Sequence, residues 1–354
     1  MDLSGLLGRG VRRAGWLAGP AAAAILLTGC SGATASLPRA VAPLPTAAAV
    51  ALVPFAPTAS AVPPTPVPTL PSPTPTPTPT ATGTPTPTPT ATPLVPPTAT
   101  PDPARQINGV PFEAIAVLPP ETAAHVAEII ARGRELGRNP RAFSKLGDSA
   151  VLTESNLTRF DKGIYDLGPY AFLQPTIDHF AGSWERYGAG ARVALTTIGA
   201  LDPMWARPEY CAGGEDPLNC EIRLNNPAVM LIRLGTNDGR AASYEANMRL
   251  IIAVCLEQGV VPILGTKADR FEGDDSINAA TRRLAEELHL PLWDFDRVAD
   301  TLPNRGLTDD HAHLTTTSRN DYTDPATLTR GYPVSDLTAL VALDAVRALG
   351  LEGE

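Results

Sequence analysis

Proline is spread so unevenly along this chain that it decides which part can fold. Of the 354 residues 38 are proline, and most fall in the first hundred positions, in runs such as Pro71-Ser72-Pro73-Thr74-Pro75-Thr76-Pro77-Thr78. Alternating proline removes backbone donors and fixes φ, so it builds neither helix nor interior strand. The Ala, Pro and Thr around it offer too little apolar surface for a core. Residues 31–106 therefore read as a disordered linker inclined to polyproline II, reaching roughly 200 Å if fully stretched at about 3.1 Å per residue. Its threonines permit O-glycosylation without requiring it. A fold must come from residues 107–354, long enough for one substantial core.

The segment before the linker reads as an export signal. Arg9, Arg12 and Arg13 precede an apolar stretch from Ala14 to Leu27 that is too short for a stable span. It ends in Leu27-Thr28-Gly29-Cys30, which resembles the lipobox of bacterial lipoproteins. That resemblance implies lipid on Cys30, cleavage before it, and attachment to the outer face of a bacterial membrane without spanning it. Cysteine usage agrees with export. Cys211 and Cys220 bracket a turn-rich segment and form a candidate disulfide, whereas Cys255 lies in an apolar run and reads as a buried small hydrophobe. With a net charge of −9 the chain has no basic stripe for phosphates, so no nucleic-acid partner is expected.

Beyond Ile107 the pattern turns globular. Helical spacing marks 121–136, 241–258, 276–288 and 334–349. Short apolar runs mark strands at 141–146, 192–197, 228–234, 260–264 and 291–295. Strands alternating with helices imply an α/β sandwich whose parallel sheet is covered on both faces. In such sheets sites form at the carboxyl ends of the strands. Three chemistry-bearing segments fall there or in a late loop: Gly147-Asp148-Ser149, Gly235-Thr236-Asn237-Asp238, and Asp310-His311-Ala312-His313. Singly, each is an ordinary turn or cap. Together they supply a nucleophile, an amide donor, a base and a carboxylate, the parts of acyl transfer.

In this order and approximate spacing the segments resemble the three blocks of the SGNH, or GDSL, hydrolase family over roughly residues 141–349. The resemblance implies a flavodoxin-like three-layer sandwich with a central parallel sheet. It implies Ser149 as nucleophile, His313 as base and Asp310 as its partner. Asn237, the Ser149 N–H and Gly199 would form the oxyanion hole. It implies ester hydrolysis with no cofactor and no metal, on a small ester or an acylated glycan of the cell envelope.

The last segment offers more than one choice, of which spacing and the following Leu314 favour Asp310 and His313. Asp309 and Asp310 are both candidate carboxylates, and His311 and His313 are both candidate bases; the His-x-His pair also permits a metal-dependent hydrolase. A catalytically inactive glycan-binding module is a further alternative. The Gly-x-Ser-x-Gly elbow of α/β-hydrolases is absent around Ser149. Residues 152–170 read as a long surface loop or a lip over Ser149. Asn156-Leu157-Thr158 matches a glycosylation sequon. His125, His179 and His289 read as surface or packing residues.

Overall fold

The computed structural model describes residues 105–352. The export signal, Cys30 and the linker up to residue 104 lie outside the described residues.

The central sheet has five strands: β1 (Ala116–Val117), β2 (Asn139–Gly147), β3 (Pro227–Arg233), β4 (Val261–Gly265) and β5 (Leu292–Trp293). Their spatial order is β1-β5-β4-β3-β2, and β2 through β5 run parallel. The edge strand β1 pairs antiparallel with β5, so the sheet is mostly rather than wholly parallel. Every residue of β3 is buried. Because successive side chains point to opposite faces, both faces of the sheet must be covered. The cover comes from five longer helices: α1 (Pro120–Glu135), α2 (Pro217–Asn225), α3 (Ala241–Glu257), α4 (Ser276–Glu287) and α5 (Gly331–Arg347). α3 packs on α4 and on β4, and α5 packs on β1 and β5. None of the described helices is long and apolar enough to cross a membrane.

Most elements fall within one to three residues of the positions their apolar spacing marks. The strand expected at 192–197 does not form. Only Ala191 bridges to Gly147 beyond β2, after which Ala194 takes a left-handed backbone (φ 59°) and Val193 is exposed. A left-handed residue turns an extended chain out of register. Among the described residues, that single parallel bridge is all that continues the sheet beyond β2.

Helix α2 starts inside the turn-rich disulfide segment and runs past Cys220 to Asn225. Asp216 caps it by accepting from the Asn219 N–H at 2.9 Å, and Pro217 occupies its first turn. Cys211 and Cys220 are disulfide-bonded, and Cys255 is free and buried.

Residues 152–170 are not a surface loop. Leu157, Phe160 and Tyr170 are buried, the Leu157 N–H donates to Asp336 Oδ1 at 2.8 Å, and Arg159 reaches Asn320 Oδ1 at 3.0 Å. The sequon asparagine, Asn156, is also buried and donates to the Val151 carbonyl, so it presents no acceptor to a glycan.

Candidate active site

Strands β2 and β3 end side by side, with Gly147 registered against Arg233. The turns that follow carry Ser149 and Asn237, so two of the three segments start from neighbouring strand ends. Asp148 shapes the first turn. Its Oδ1 accepts from the Ala150 N–H at 2.9 Å, and its carbonyl accepts from Val151 and Leu152. Its Oδ2 lies 3.5 Å from Asn237 Nδ2. The Asp148 carboxyl is buried, and burial pushes its pKa up against the opposing pull of the Ala150 N–H and Arg233. Arg233, also buried, donates to the Ala150 carbonyl at 3.1 Å and to Ser335 Oγ at 2.7 Å. A buried carboxyl and a buried guanidinium thus hold the nucleophile turn from below.

The third segment is clipped rather than loose. Leu307 and Leu314 form an antiparallel bridge, both buried, and the Thr308 N–H donates to the His313 carbonyl at 2.8 Å. This brings His313 Nε2 to 3.0 Å from Ser149 Oγ, and His313 Nδ1 to 2.6 Å from Asp310 Oδ2. The other carboxylate oxygen, Oδ1, accepts from Thr308 Oγ1 at 2.6 Å and from the N–H groups of His313 (2.9 Å) and Ala312 (3.0 Å). Led by the Thr308 hydroxyl and the His313 N–H, these donors hold the Asp310 carboxyl well below the usual carboxylate range. Of the two Asp and two His residues, Asp310 and His313 are the pair that hydrogen bonds join to Ser149. His311 sits outside the chain of bonds, on a left-handed backbone (φ 56°) that favours glycine. Both ring nitrogens of His313 face Ser149 and Asp310. Among the described residues, the one group of close potential metal ligands is Cys211, Glu215 and Cys220, whose cysteines are disulfide-bonded.

Asn237 Nδ2 lies 3.4 Å from the Leu195 carbonyl. That backbone is fastened by Asp238, which accepts from the Thr197 N–H at 3.1 Å and from Thr197 Oγ1 at 2.5 Å. Asp238 is buried, and burial raises its pKa against the Thr197 bonds. Gly199, the expected third oxyanion donor, begins a single 3₁₀ turn, and its N–H donates to Thr196 Oγ1 at 3.1 Å. Its N–H is thus engaged locally by the Thr196 hydroxyl.

Sequence reasoning missed Thr308, the Asp148 clamp and the Asp238–Thr197 bond. Thr308 stands two residues before the chosen carboxylate, the spacing of a hydroxyl–carboxylate turn; the other two bonds join distant segments and leave no local signal. His125, His179 and His289 lie away from the three segments. His125 Nδ1 and His179 Nε2 meet backbone carbonyls.

The site is open. Relative exposure is 46% for the His313 side chain and 51% for that of Asp310, while Ser149 is half-buried.

The fold and site together define an α/β protein with a mostly parallel, helix-flanked sheet and a Ser–His–Asp hydrogen-bonded chain at its carboxyl edge. No family model matches the chain, and no curated protein matches it. Among solved structures, one match is the crystal structure of an acetyl esterase mutant with an acetate ion, at 13% identity and a TM-score of 0.37, covering 59% of this chain and 97% of that one.

Proposed function

We propose that this chain is a serine esterase of SGNH/GDSL type, exported and lipid-anchored through Cys30, that hydrolyses O-acyl esters carried on carbohydrate or envelope polymers. The observation that carries the enzymatic part is the unbroken chain Ser149 Oγ–His313 Nε2 (3.0 Å) and His313 Nδ1–Asp310 Oδ2 (2.6 Å). A serine hydroxyl is a poor nucleophile until a base removes its proton during attack, and this arrangement supplies that base already oriented.

In the reaction, Ser149 Oγ adds to the ester carbonyl while its proton passes to His313 Nε2. Asp310 keeps the imidazole in the required tautomer and stabilises the imidazolium. Asn237 Nδ2 and the Ser149 N–H donate to the carbonyl oxygen as it becomes an oxyanion. Collapse breaks the C–O bond, and the alcohol departs with the proton from His313. Water, deprotonated by His313, then adds to the acyl-Ser149 and releases the carboxylic acid. No step calls on a cofactor.

The anchor and linker support the location: a lipobox-like Cys30 followed by some 75 extended residues would hold a domain well away from a bilayer. Export fits the Cys211–Cys220 disulfide, a bond that persists in oxidising compartments. The open site favours esters borne on large molecules over small buried ones. The deciding test is turnover of a chromogenic short-chain ester by the described domain and by Ser149→Ala. Activity lost in the variant with its circular dichroism unchanged supports the reading, and a wild-type protein without turnover sinks it.

A further inference from the structure

Three neighbouring strands end beside the Ser149–His313–Asp310 chain. β2 leads into the Ser149 turn and β3 into the Asn237 turn. β4, on the other side of β3, leads into Thr266-Lys267-Ala268-Asp269. This third turn carries a charge cluster that the proposed reaction does not use. Lys267, Asp269 and the Glu272 side chain are all buried. The Lys267 ammonium donates to Asp269 Oδ1 at 2.7 Å, to the Asp269 carbonyl at 3.1 Å and to Glu272 Oε2 at 2.6 Å. All its protons are thereby spent inside the protein.

The cluster adjoins the reacting centre. Lys267, Asp269 and Thr236 line one small pocket with Asp148, the neighbour of Ser149, and with Ala312 and Leu314, which flank His313. Two contacts join it to the turn that carries Asn237. The second oxygen of Asp269, Oδ2, accepts from Thr236 Oγ1 at 2.9 Å. The Lys267 stem lies against Gly235, where an added Cβ would stand 3.4 Å from Lys267 Cε. A buried ion pair adds little stability, because desolvation of two charges offsets their attraction. Glu272 Oε1, buried without a hydrogen-bond partner, adds a further cost. What the cluster does supply is direction: with Oδ1 held by Lys267, the Asp269 carboxylate presents Oδ2 to one hydroxyl.

Asn237 needs that direction. It is the third residue of a turn closed by the Asp238 N–H donating to the Gly235 carbonyl at 3.1 Å. Its own amide makes only long contacts, 3.5 Å to Asp148 Oδ2 and 3.4 Å to the Leu195 carbonyl. Contacts of that length orient a side chain weakly, and they leave its protons available to an oxyanion. The turn backbone must therefore set where the amide points. Asp238 ties the turn on one flank, accepting from the Thr197 N–H at 3.1 Å. Thr236 ties it on the other, through Asp269. An oxyanion donor acts from about 2.7–3.1 Å, so a small displacement of the turn costs rate.

We propose that Asp269, oriented by Lys267, is a positioning residue: through the Thr236 hydroxyl it fixes the turn that aims Asn237 at the oxyanion. This rests on the esterase reading above. Thr236→Val keeps the side-chain shape and removes the hydroxyl, and Thr236→Ser keeps the hydroxyl. Asp269→Leu removes the acceptor while Glu272 still neutralises Lys267. On a chromogenic short-chain ester, Thr236→Val and Asp269→Leu should each lower kcat at least tenfold with KM changed less than twofold. Thr236→Ser should stay within threefold of wild type. Because Thr236 acts through Asn237, adding Thr236→Val to Asn237→Ala should cost less than a further twofold. An unchanged kcat in Thr236→Val or Asp269→Leu, or a tenfold loss repeated in the Asn237→Ala background, overturns the proposal. If wild type hydrolyses no ester, it is the esterase reading that fails. The positioning is then read by itself from the Asn237 side-chain amide by NMR. Its resonances should shift in Thr236→Val and hold in Thr236→Ser; resonances unmoved by Thr236→Val overturn the link.

Discussion

Gly147 and Arg233 face each other at the carboxyl ends of neighbouring parallel strands, and the turn that carries Ser149 folds back so that Val151 packs against Gly147. A Cβ on Gly147 would stand 2.3 Å from Val151 Cγ2 and 2.8 Å from the Arg233 carbonyl oxygen. The glycine is thus needed for close approach. Gly147→Ala should cost about 1–3 kcal/mol of stability, measured by urea unfolding, and should lower kcat by displacing Ser149.

Asn237 is aimed by Asp148 and the Leu195 carbonyl. If it stabilises the oxyanion, Asn237→Ala should lower kcat about 10²–10³-fold with little change in KM. A rise in KM at constant kcat would make it a ground-state contact instead.

Thr308 is the first of the donors that depress the Asp310 pKa. Thr308→Val should raise that pKa toward the ordinary carboxylate range, read by carbon-detected NMR, and lower kcat several-fold. A depressed carboxylate stabilises the fold above its unfolded pKa, and the contribution is lost as pH falls through the folded value. Since Asp310 is half exposed, that contribution stays below about 1 kcal/mol.

Lys145, on the strand that delivers Ser149, is buried and donates to the Trp184 carbonyl at 2.8 Å. Burial pushes its ammonium pKa down to about 8 from an ordinary 10.5. Between these values the unfolded chain holds the proton that the folded chain has released, so this residue makes stability rise with pH across that window. The rise amounts to roughly 3 kcal/mol at most. Lys145→Met should remove this rise; identical slopes in variant and wild type would contradict it.

Legibility in the sequence followed the range of the interaction. β3 was readable because a strand buried on both faces must be apolar along its length, and α3, α4 and α5 because their spacing is local. The failed strand at 192–197 turned on one left-handed residue, Ala194, which no apolar pattern announces. Helix α2 was signalled by Asp216-Pro217 but masked by the glycines before it. In the site, Ser149, Asn237, Asp310 and His313 could be picked out by residue type and order. Spacing within the last block favours His313 over His311; what sequence does not show is the Leu307–Leu314 bridge that holds His313 within reach of Ser149, a contact made only once the chain is folded. Gly199 could not be judged from sequence, because its N–H is captured by the side chain of Thr196.

The most direct test of the central claim is labelling with a fluorophosphonate, mapped by mass spectrometry. The expected result is a covalent adduct on Ser149 in wild type, a loss of at least about 10³-fold in labelling rate for His313→Ala, and less than a tenfold loss for His311→Ala. Folded wild-type protein that gains no adduct at Ser149, or labelling that depends on His311 and not His313, would contradict it.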